Sequence, residues 1–526
     1  MTGLLRNHCA RIAAILIFAP PVVFALAQSP ATPPPPQPDV VLHGVVHSSQ
    51  NHTYIKVPFH VPAGVHRVTL TFDYTGKDSH TALDLGLLDP VELRCWSGGN
   101  KSVLTVALTD ATPSCLPGAI PVGTWNVLIG VPNIRPQVTS HYTAQVWFTR
   151  NGLVADYPEV LREPLRPGPA WFRGDLHMHT AHSDGECPSQ TGKMAPCPLY
   201  FTADAAARRG LDFIAITDHN AQSQYNAMRE LQPYFDKVLL IPGREITTFQ
   251  GHINFLGTAQ FIDFRLGSPS VPNVNDLLRS ARKLGALVSI NHPGLPSGEI
   301  CMGCGWTPDP PADMSLLDAI EAVNGGAEEF PVFSGIPFWE HQLNLGYRLT
   351  AIGGSDNHRP TRPLDQMGSV GSPTTVVYAA NLSTPAILSG IRSGRVFIDL
   401  TGSKDRMLEL TATCGGETAH MGDLLLAASG AEVSFEAHVA AVAGAQVEFI
   451  EDGRPLEAAP SPVTSAADRT FRAVWASDGR RHWFLARSSV QAEKPGSSAT
   501  RSTSTGNVTP TERGRSPGAV RGSWPG

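Results

Sequence analysis

The sequence predicts an α/β body with β-rich regions on either side, and three patterns predict it. Between about residue 165 and residue 400, short apolar strands alternate with helical segments. Before and after that stretch the apolar period drops to two. The third pattern is chemical: His, Asp and Glu recur at the ends of the apolar strands, which is where α/β folds build their sites.

The 526 residues allow about three domains, and 42% hydrophobic with 16% charged residues is ordinary for globular protein. A formal charge of −6 argues mildly against nonspecific nucleic-acid binding, which wants a basic surface. Residues 1–27 read as a signal peptide. Arg6 and Arg11 lead into the apolar run 12–23, and Ala25-Leu26-Ala27 forms a small-residue cleavage site. Pro20-Pro21 interrupts that run, which is shorter than the ~20 residues a spanning helix needs. The expectation is an exported chain, periplasmic or secreted, with no stable membrane span after cleavage. Residues 28–39 are a proline-rich linker.

Residues 40–155 predict a β-sandwich. Val68, Leu70, Phe72 and Tyr74 alternate with polar neighbours, as do Tyr142, Ala144, Val146 and Phe148, and Trp125, Val127 and Ile129. Such a module suits packing or substrate presentation, with carbohydrate binding as the alternative. From 165 to 400 the reading is βα. A helix over 204–209 ends at Gly210, and strands follow at 211–217 and 237–241. A helix over 273–284 precedes a strand at 286–290, and a helix around 337–346 separates strands at 317–323 and 349–352. Near-continuous apolar strands joined by helices imply a parallel sheet, open or closed into a barrel. Residues 403–488 return to alternation and predict a small C-terminal β-domain. Residues 489–526 turn to Ser, Thr, Gly, Pro and Arg, a composition that predicts a disordered tail.

The densest chemistry lies in residues 174–185, GDLHMHTAHSDG. His177 and His179 are two apart, so on an extended strand both imidazoles leave from one face, and Asp184 sits in a turn that can fold back toward them. The apolar run 213–217 ends in Asp218-His219-Asn220, and the run 238–242 leads into Gly243-Arg244-Glu245. His252 opens the strand 253–256, the run 287–290 delivers Asn291-His292-Pro293, and 351–354 delivers Ser355-Asp356-Asn357-His358. Any one of these could be a core histidine or a helix cap, for which Asp356 is suited. Together they point to metal. Histidine mixed with carboxylate favours Zn, Mn or Fe over Ca, which prefers oxygen alone. One zinc takes about four ligands. The candidates His177, His179, Asp184, His219, Glu245, His252, His292, Asp356 and His358 are too many for one ion. Two or three divalent metal ions are expected, bridged by a carboxylate such as Glu245 or Asp356. Metals ~3.5–4 Å apart can hold a bridging hydroxide whose pKa falls from ~15.7 toward ~7, a nucleophile for phosphorus or carbonyl.

These motifs resemble, jointly, those of the PHP (polymerase and histidinol phosphatase) superfamily. The carrying residues are HMH with Asp184, TDHN, the Glu245 segment with His252, INHP and GSDNH. The resemblance covers roughly 170 to 400 and implies that 165–400 form a distorted (β/α)7 PHP barrel flanked by the N-terminal β-sandwich and the small C-terminal β-domain. The exported layout looks more narrowly like the carbaryl-hydrolase-like branch. Carried over by position, the resemblance implies that His177, His179, Glu245 and Asp356 hold one metal. Glu245, His252 and His292 would hold a second, and Asp184, His219 and His358 a third. Asp184 stands where some members use histidine. Asp218 would orient a ligand histidine. The implied activity is a metal-dependent hydrolase cleaving a phosphoester in a small-molecule substrate. A carbamate or carboxylic ester hydrolase is the nearer-branch alternative. An exonuclease-type phosphodiesterase and a non-catalytic carbohydrate-binding protein are further ones.

Arg244 and Arg359 each adjoin a proposed ligand and could grip phosphate oxygens or balance the carboxylates. Trp171, Trp306 and Trp339 could wall an apolar leaving-group pocket or belong to the core. Of eight cysteines, Cys95 could pair with Cys115, and export favours disulfides for 187–197 and 301–304. A four-cysteine zinc site formed by Cys187, Cys197, Cys301 and Cys304 is the alternative. Cys414 is left as a free thiol.

Overall fold

The computed structural model describes residues 37–97, 99, 101–150, 164–298, 301, 303–325, 334–366, 368–456 and 468–490. The signal peptide, residues 28–36 of the linker and residues 491–526 of the tail lie outside the described residues. No helix among the described residues is long and apolar enough to cross a membrane.

The described residues are dominated by strands: twenty-six of them against five α-helices. The chain begins with two four-stranded antiparallel sheets. One runs Val40–His47, Thr139–Thr149, Arg67–Tyr74, Val103–Ala107 in spatial order; the other runs Tyr54–Val61, Gly123–Asn133, Ala82–Leu88, Leu93–Trp96. Their alternation buries Leu70, Leu85, Trp125 and Val127 between them. Two further sheets, between Met407 and Val490, enclose Phe435, Phe449 and Phe471.

Between them stands a nine-stranded sheet. In spatial order its strands are Thr350–Gly354, Ala319–Asn324, Leu287–Ile290, Gly251–Leu256, Leu239–Thr248, Phe213–Ile216, Ala170–Asp175, Thr374–Ala379 and Val396–Asp399. The expected (β/α)7 barrel does not form. Four of the eight pairings are parallel and four antiparallel. The reason is local. Leu239–Thr248 turns straight back into Gly251–Leu256 through Phe249 and Gln250, with no crossover helix, and a hairpin must be antiparallel. Near-continuous apolar strands look alike in either orientation when both faces are covered. The sheet curls strongly all the same. Thr375 Oγ1 accepts from Gly353 N at 2.8 Å and donates to Gly353 O at 2.6 Å, so a side chain bridges the gap where a closed ladder would run.

The helices lie against this sheet for identifiable reasons. Leu199–Arg209 buries Ala203, Ala205 and Ala206 and stops at Gly210, whose φ of 82° suits the left-handed cap. Val274–Lys283 starts under Asn273, whose side chain accepts from the amides of Asn275 and Asp276. Gln224–Leu231 docks the first pair of sheets onto the central one. Buried Asp110 lies between Arg67 and Arg229, and Asn226 bonds both Thr109 O and Ala111 N. At the other end Trp483 Nε1 donates to Asn344 Oδ1 at 2.7 Å, tying the last sheets to the helix Ile336–Asn344.

Candidate metal centre

The curled sheet gathers its strand ends on one side. Just past Ala170–Asp175, His177 and His179 leave the extended chain together, ring centroids 5.2 Å apart. Asp175 fixes that exit. Its buried carboxylate accepts from the amides of His177, Ser355 and Gly371 at 3.2, 3.0 and 2.7 Å, joining three segments at one point. Burial pushes its pKa up against those bonds.

Glu245 lies at the centre. Its Oε1 is 3.3 Å from His177 Nε2, 3.2 Å from His252 Nδ1 and 3.3 Å from His292 Nε2; its Oε2 is 3.5 Å from His179 Nε2 and 2.8 Å from His219 Nδ1. Asp356 Oδ1 completes the group, 3.4 Å from His177 Nε2 and 3.2 Å from His179 Nε2. Beside it, Asp184 lies 3.3 Å from His358 Nε2 and 3.7 Å from His219 Nε2. His219 and His358 stack on His179 at 4.3 and 4.1 Å. Asn220, His292 and Asp356 hold φ of 51°, 27° and 52°, left-handed values for residues with a Cβ, clustered at the strand ends that aim these groups.

Three gatherings of ligand atoms result: His177, His179 and Asp356; His177, Glu245 and His292; and His179, Asp184, His219 and His358. The partition differs from the one the resemblance implies. His179 joins the third set as well as the first, and His252 stands beside Glu245 outside the gathered triples.

A cation fits this arrangement. His177 Nε2, His179 Nε2 and both nitrogens of His252 are buried with no hydrogen-bond partner. Buried polar atoms without partners are costly and rare. The tautomers sharpen the point. Ser183 Oγ donates to Asp218 at 2.7 Å, which leaves its lone pair for His179 Nδ1 at 3.4 Å. His179 Nε2 then points a lone pair at two carboxylates.

The electrostatics follow. Burial, with His358 and His219 nearby, pushes His179 down to about 3, so the ring is neutral at pH 7. Burial also opposes charge on His358, but Asp184 and Asp356 outweigh it and push its pKa up to about 9. Glu245 is held well below the usual carboxylate range despite burial, chiefly by His177 and His219. Asp356 is held low in the same way, chiefly by His177.

The other expected site residues divide. Asp218 is fully buried and touches no ligand nitrogen directly; it accepts from Thr180 N, Thr180 Oγ1 and Ser183 Oγ and so holds the 180–184 turn. Arg359 lies on the rim with its side chain 45% exposed, 3.7 Å from Glu186 Oε2. Together with Arg362, Ser355, Asp356 and His358 it lines a cavity of about 310 Å³. Arg244 does not face the site. It precedes Glu245 on one strand, so it points to the opposite face, fully buried against the Gln260 carbonyl and Tyr225. Trp171 packs on Tyr378 and Phe397, and Trp339 bonds Leu349 O beside Trp483, so neither walls the cavity. Trp306 packs at Gly251, next to His252.

Glu321 was not legible as a site residue. It lies in the apolar strand Ala319–Asn324, 2% exposed, its Oε1 3.0 Å from His177 Nδ1. A lone acid inside an otherwise apolar strand was the available signal. The cysteines form three pairs at disulfide-bonding distance, Cys95–Cys115, Cys187–Cys197 and Cys301–Cys304. Cys414 is free and half-buried. No four-cysteine gathering occurs among the described residues.

No protein-family profile matches the chain, and no curated protein matches it. Among solved structures the chain is similar to PsfC from Pseudomonas syringae, at 17% identity over 43% of this chain and 91% of that one, TM-score 0.29. It is also similar to an amidohydrolase from Chromobacterium violaceum, solved with bound sulfate and no metal. There the identity is 17% over 36% of this chain and 88% of that one, TM-score 0.24.

Proposed function

We propose that the chain is an exported, metal-dependent hydrolase of the PHP type that cleaves a phosphoester in a small-molecule substrate. The observation that carries the reading is the set of buried, unpartnered imidazole nitrogens gathered around Glu245. A divalent cation would stabilise such nitrogens by taking up their lone pairs. His177, His179, Glu245, His292 and Asp356 would hold the central ions, and Asp184, His219 and His358 a further one. When bound, the ions would supply Lewis-acid charge and an activated water.

The chain's own residues do the rest. Neutral His179 offers its Nε2 without first losing a proton at pH 7. Asp218 steadies the turn that carries Ser183 and Asp184. Arg359 and Arg362 give the adjoining cavity two guanidinium groups, and an anionic substrate group suits them. That lining favours phosphoester over the carbamate or carboxylic ester alternative, which calls for an apolar wall. The charge of −6 weighs against nucleic acid as the substrate.

The test is turnover of p-nitrophenyl phosphate, bis-p-nitrophenyl phosphate and 1-naphthyl N-methylcarbamate by protein stripped of metal and reloaded with Zn, Mn or Fe. Metal-dependent release from a phosphate ester supports the reading. Cleavage of the carbamate alone selects the alternative. Metal bound with every ester intact would favour a binding protein.

A further inference from the structure

Resting on the metal reading above, we propose that Glu321 is a positioning residue, which sets the tautomer of His177 and clips His177 to His292. One buried carboxylate meets three donors. Oε1 is 3.0 Å from His177 Nδ1; Oε2 accepts from His292 N at 2.9 Å and from Asn324 Nδ2 at 3.2 Å. Because a carboxylate accepts and does not donate, His177 must place its proton on Nδ1. Nε2 is then the nitrogen left to meet a cation, facing Glu245 and Asp356 at 3.3 and 3.4 Å. The bond to His292 N pins the strained turn, φ 27°, that delivers a second candidate ligand from another strand. Asn324 carries the link onward, since its Nδ2 also lies 3.3 Å from Asp356 Oδ2.

The neighbouring strand is shaped to admit this carboxylate. A Cβ on Gly354 would stand 2.3 Å from Glu321 Oε1 and 2.5 Å from His177 Cβ, so only glycine leaves room for the pair. A carboxylate holding the far nitrogen of a metal-ligating histidine fixes both ring orientation and basicity, and losing one costs about 10–100-fold in metal affinity.

The experiment titrates zinc into metal-free wild type and Glu321→Gln protein against a chromophoric chelator, with a thermal melt of each metal-free protein. An amide has one acceptor oxygen where the carboxylate has two, so one of the two histidine contacts must be lost or reversed. The expected result is zinc binding weakened about 10–100-fold in the variant. Unchanged zinc affinity, whatever the melting temperature, would overturn the assignment and leave Glu321 a structural acid. A second readout needs no variant: the 15N–1H spectrum of zinc-loaded wild type should show His177 carrying its proton on Nδ1. A proton on Nε2 contradicts the proposal even if Glu321→Gln fails to fold. Absence of zinc binding by the wild type would remove the metal reading and this assignment with it.

Discussion

Around His179 the ring nitrogen that faces the carboxylates is buried and unbonded, whereas around His482 both ring nitrogens are hydrogen-bonded. His482 Nδ1 lies 2.7 Å from Asp452 Oδ2 and Nε2 lies 2.9 Å from Asp478 Oδ1, with Glu451 Oε1 at 3.2 Å from Nδ1. The residue types match and the burial does not: the carboxylates around His482 are 25–37% exposed, while Glu245 is 1% exposed. In the C-terminal cluster the imidazole bonds a carboxylate through each nitrogen, and the acids keep part of their surface open to solvent. In the central cluster five histidines converge on one carboxylate, and neutral His179 has no proton to give it. Proximity of histidine and acid is therefore a poor marker of a metal site. Unsatisfied, buried acceptors are a better one.

The comparison is open to test at several strengths. Glu245→Ala removes the carboxylate that all five histidines share. The largest effect is expected there: a loss of at least about 100-fold in kcat/KM for a phosphate ester, because removing even an outer partner of a metal ligand costs 10–100-fold. Next comes metal removal from the wild type. With the ion at about 100 times its Kd, binding adds about 2.7 kcal/mol, so chelation should lower Tm by roughly 5–10 °C in calorimetry. His482→Ala should show the same shift on chelation, since its cluster is not expected to hold an ion. Arg359→Ala is smaller. An exposed guanidinium contributes about 0.2–1 kcal/mol, so KM for a phosphate monoester should rise about 2–5-fold, with little change for a neutral ester.

The smallest effect belongs to His482 itself. Burial opposes its charged form, but Asp478 and Asp452 raise its pKa above the ordinary value. The raised pKa means that its contribution is fully present below an unfolded pKa of about 6.5 and is lost as pH rises through the folded value. The stability difference between wild type and His482→Ala, about 1 kcal/mol or less, should therefore shrink as pH is raised from 6. Urea unfolding across that range measures it. A difference that grows with pH would contradict the ion-pair account of the C-terminal cluster.

Most of the metal candidates were legible because they sit at an end of an apolar run, where strand and ligand show in one short motif such as TDHN or GSDNH. His177, His179 and Asp184 were legible because three potential ligands crowd into eight residues. What lay beyond the sequence was relative direction. Leu239–Thr248 and Gly251–Leu256 read as buried strands in either orientation, and the two-residue turn between them carries no helix to cross over. Arg244 was placed at the site by adjacency to Glu245, although successive side chains on a strand face opposite ways and only one of the two could point inward. Glu321 was hidden for the opposite reason. Two of its partners, His177 and His292, come from other segments and reach it only once the strands pair, and only Asn324 shares its strand.

Metal content by elemental analysis of the purified wild type and of His179→Ala decides whether the cluster around Glu245 holds metal. Two or three equivalents of Zn, Mn or Fe are expected in the wild type and at least one fewer in the variant, because His179 belongs to two of the three gatherings at the central sheet, the fourth being the His482 cluster. No metal under any loading condition, or the same content in both proteins, would contradict that expectation.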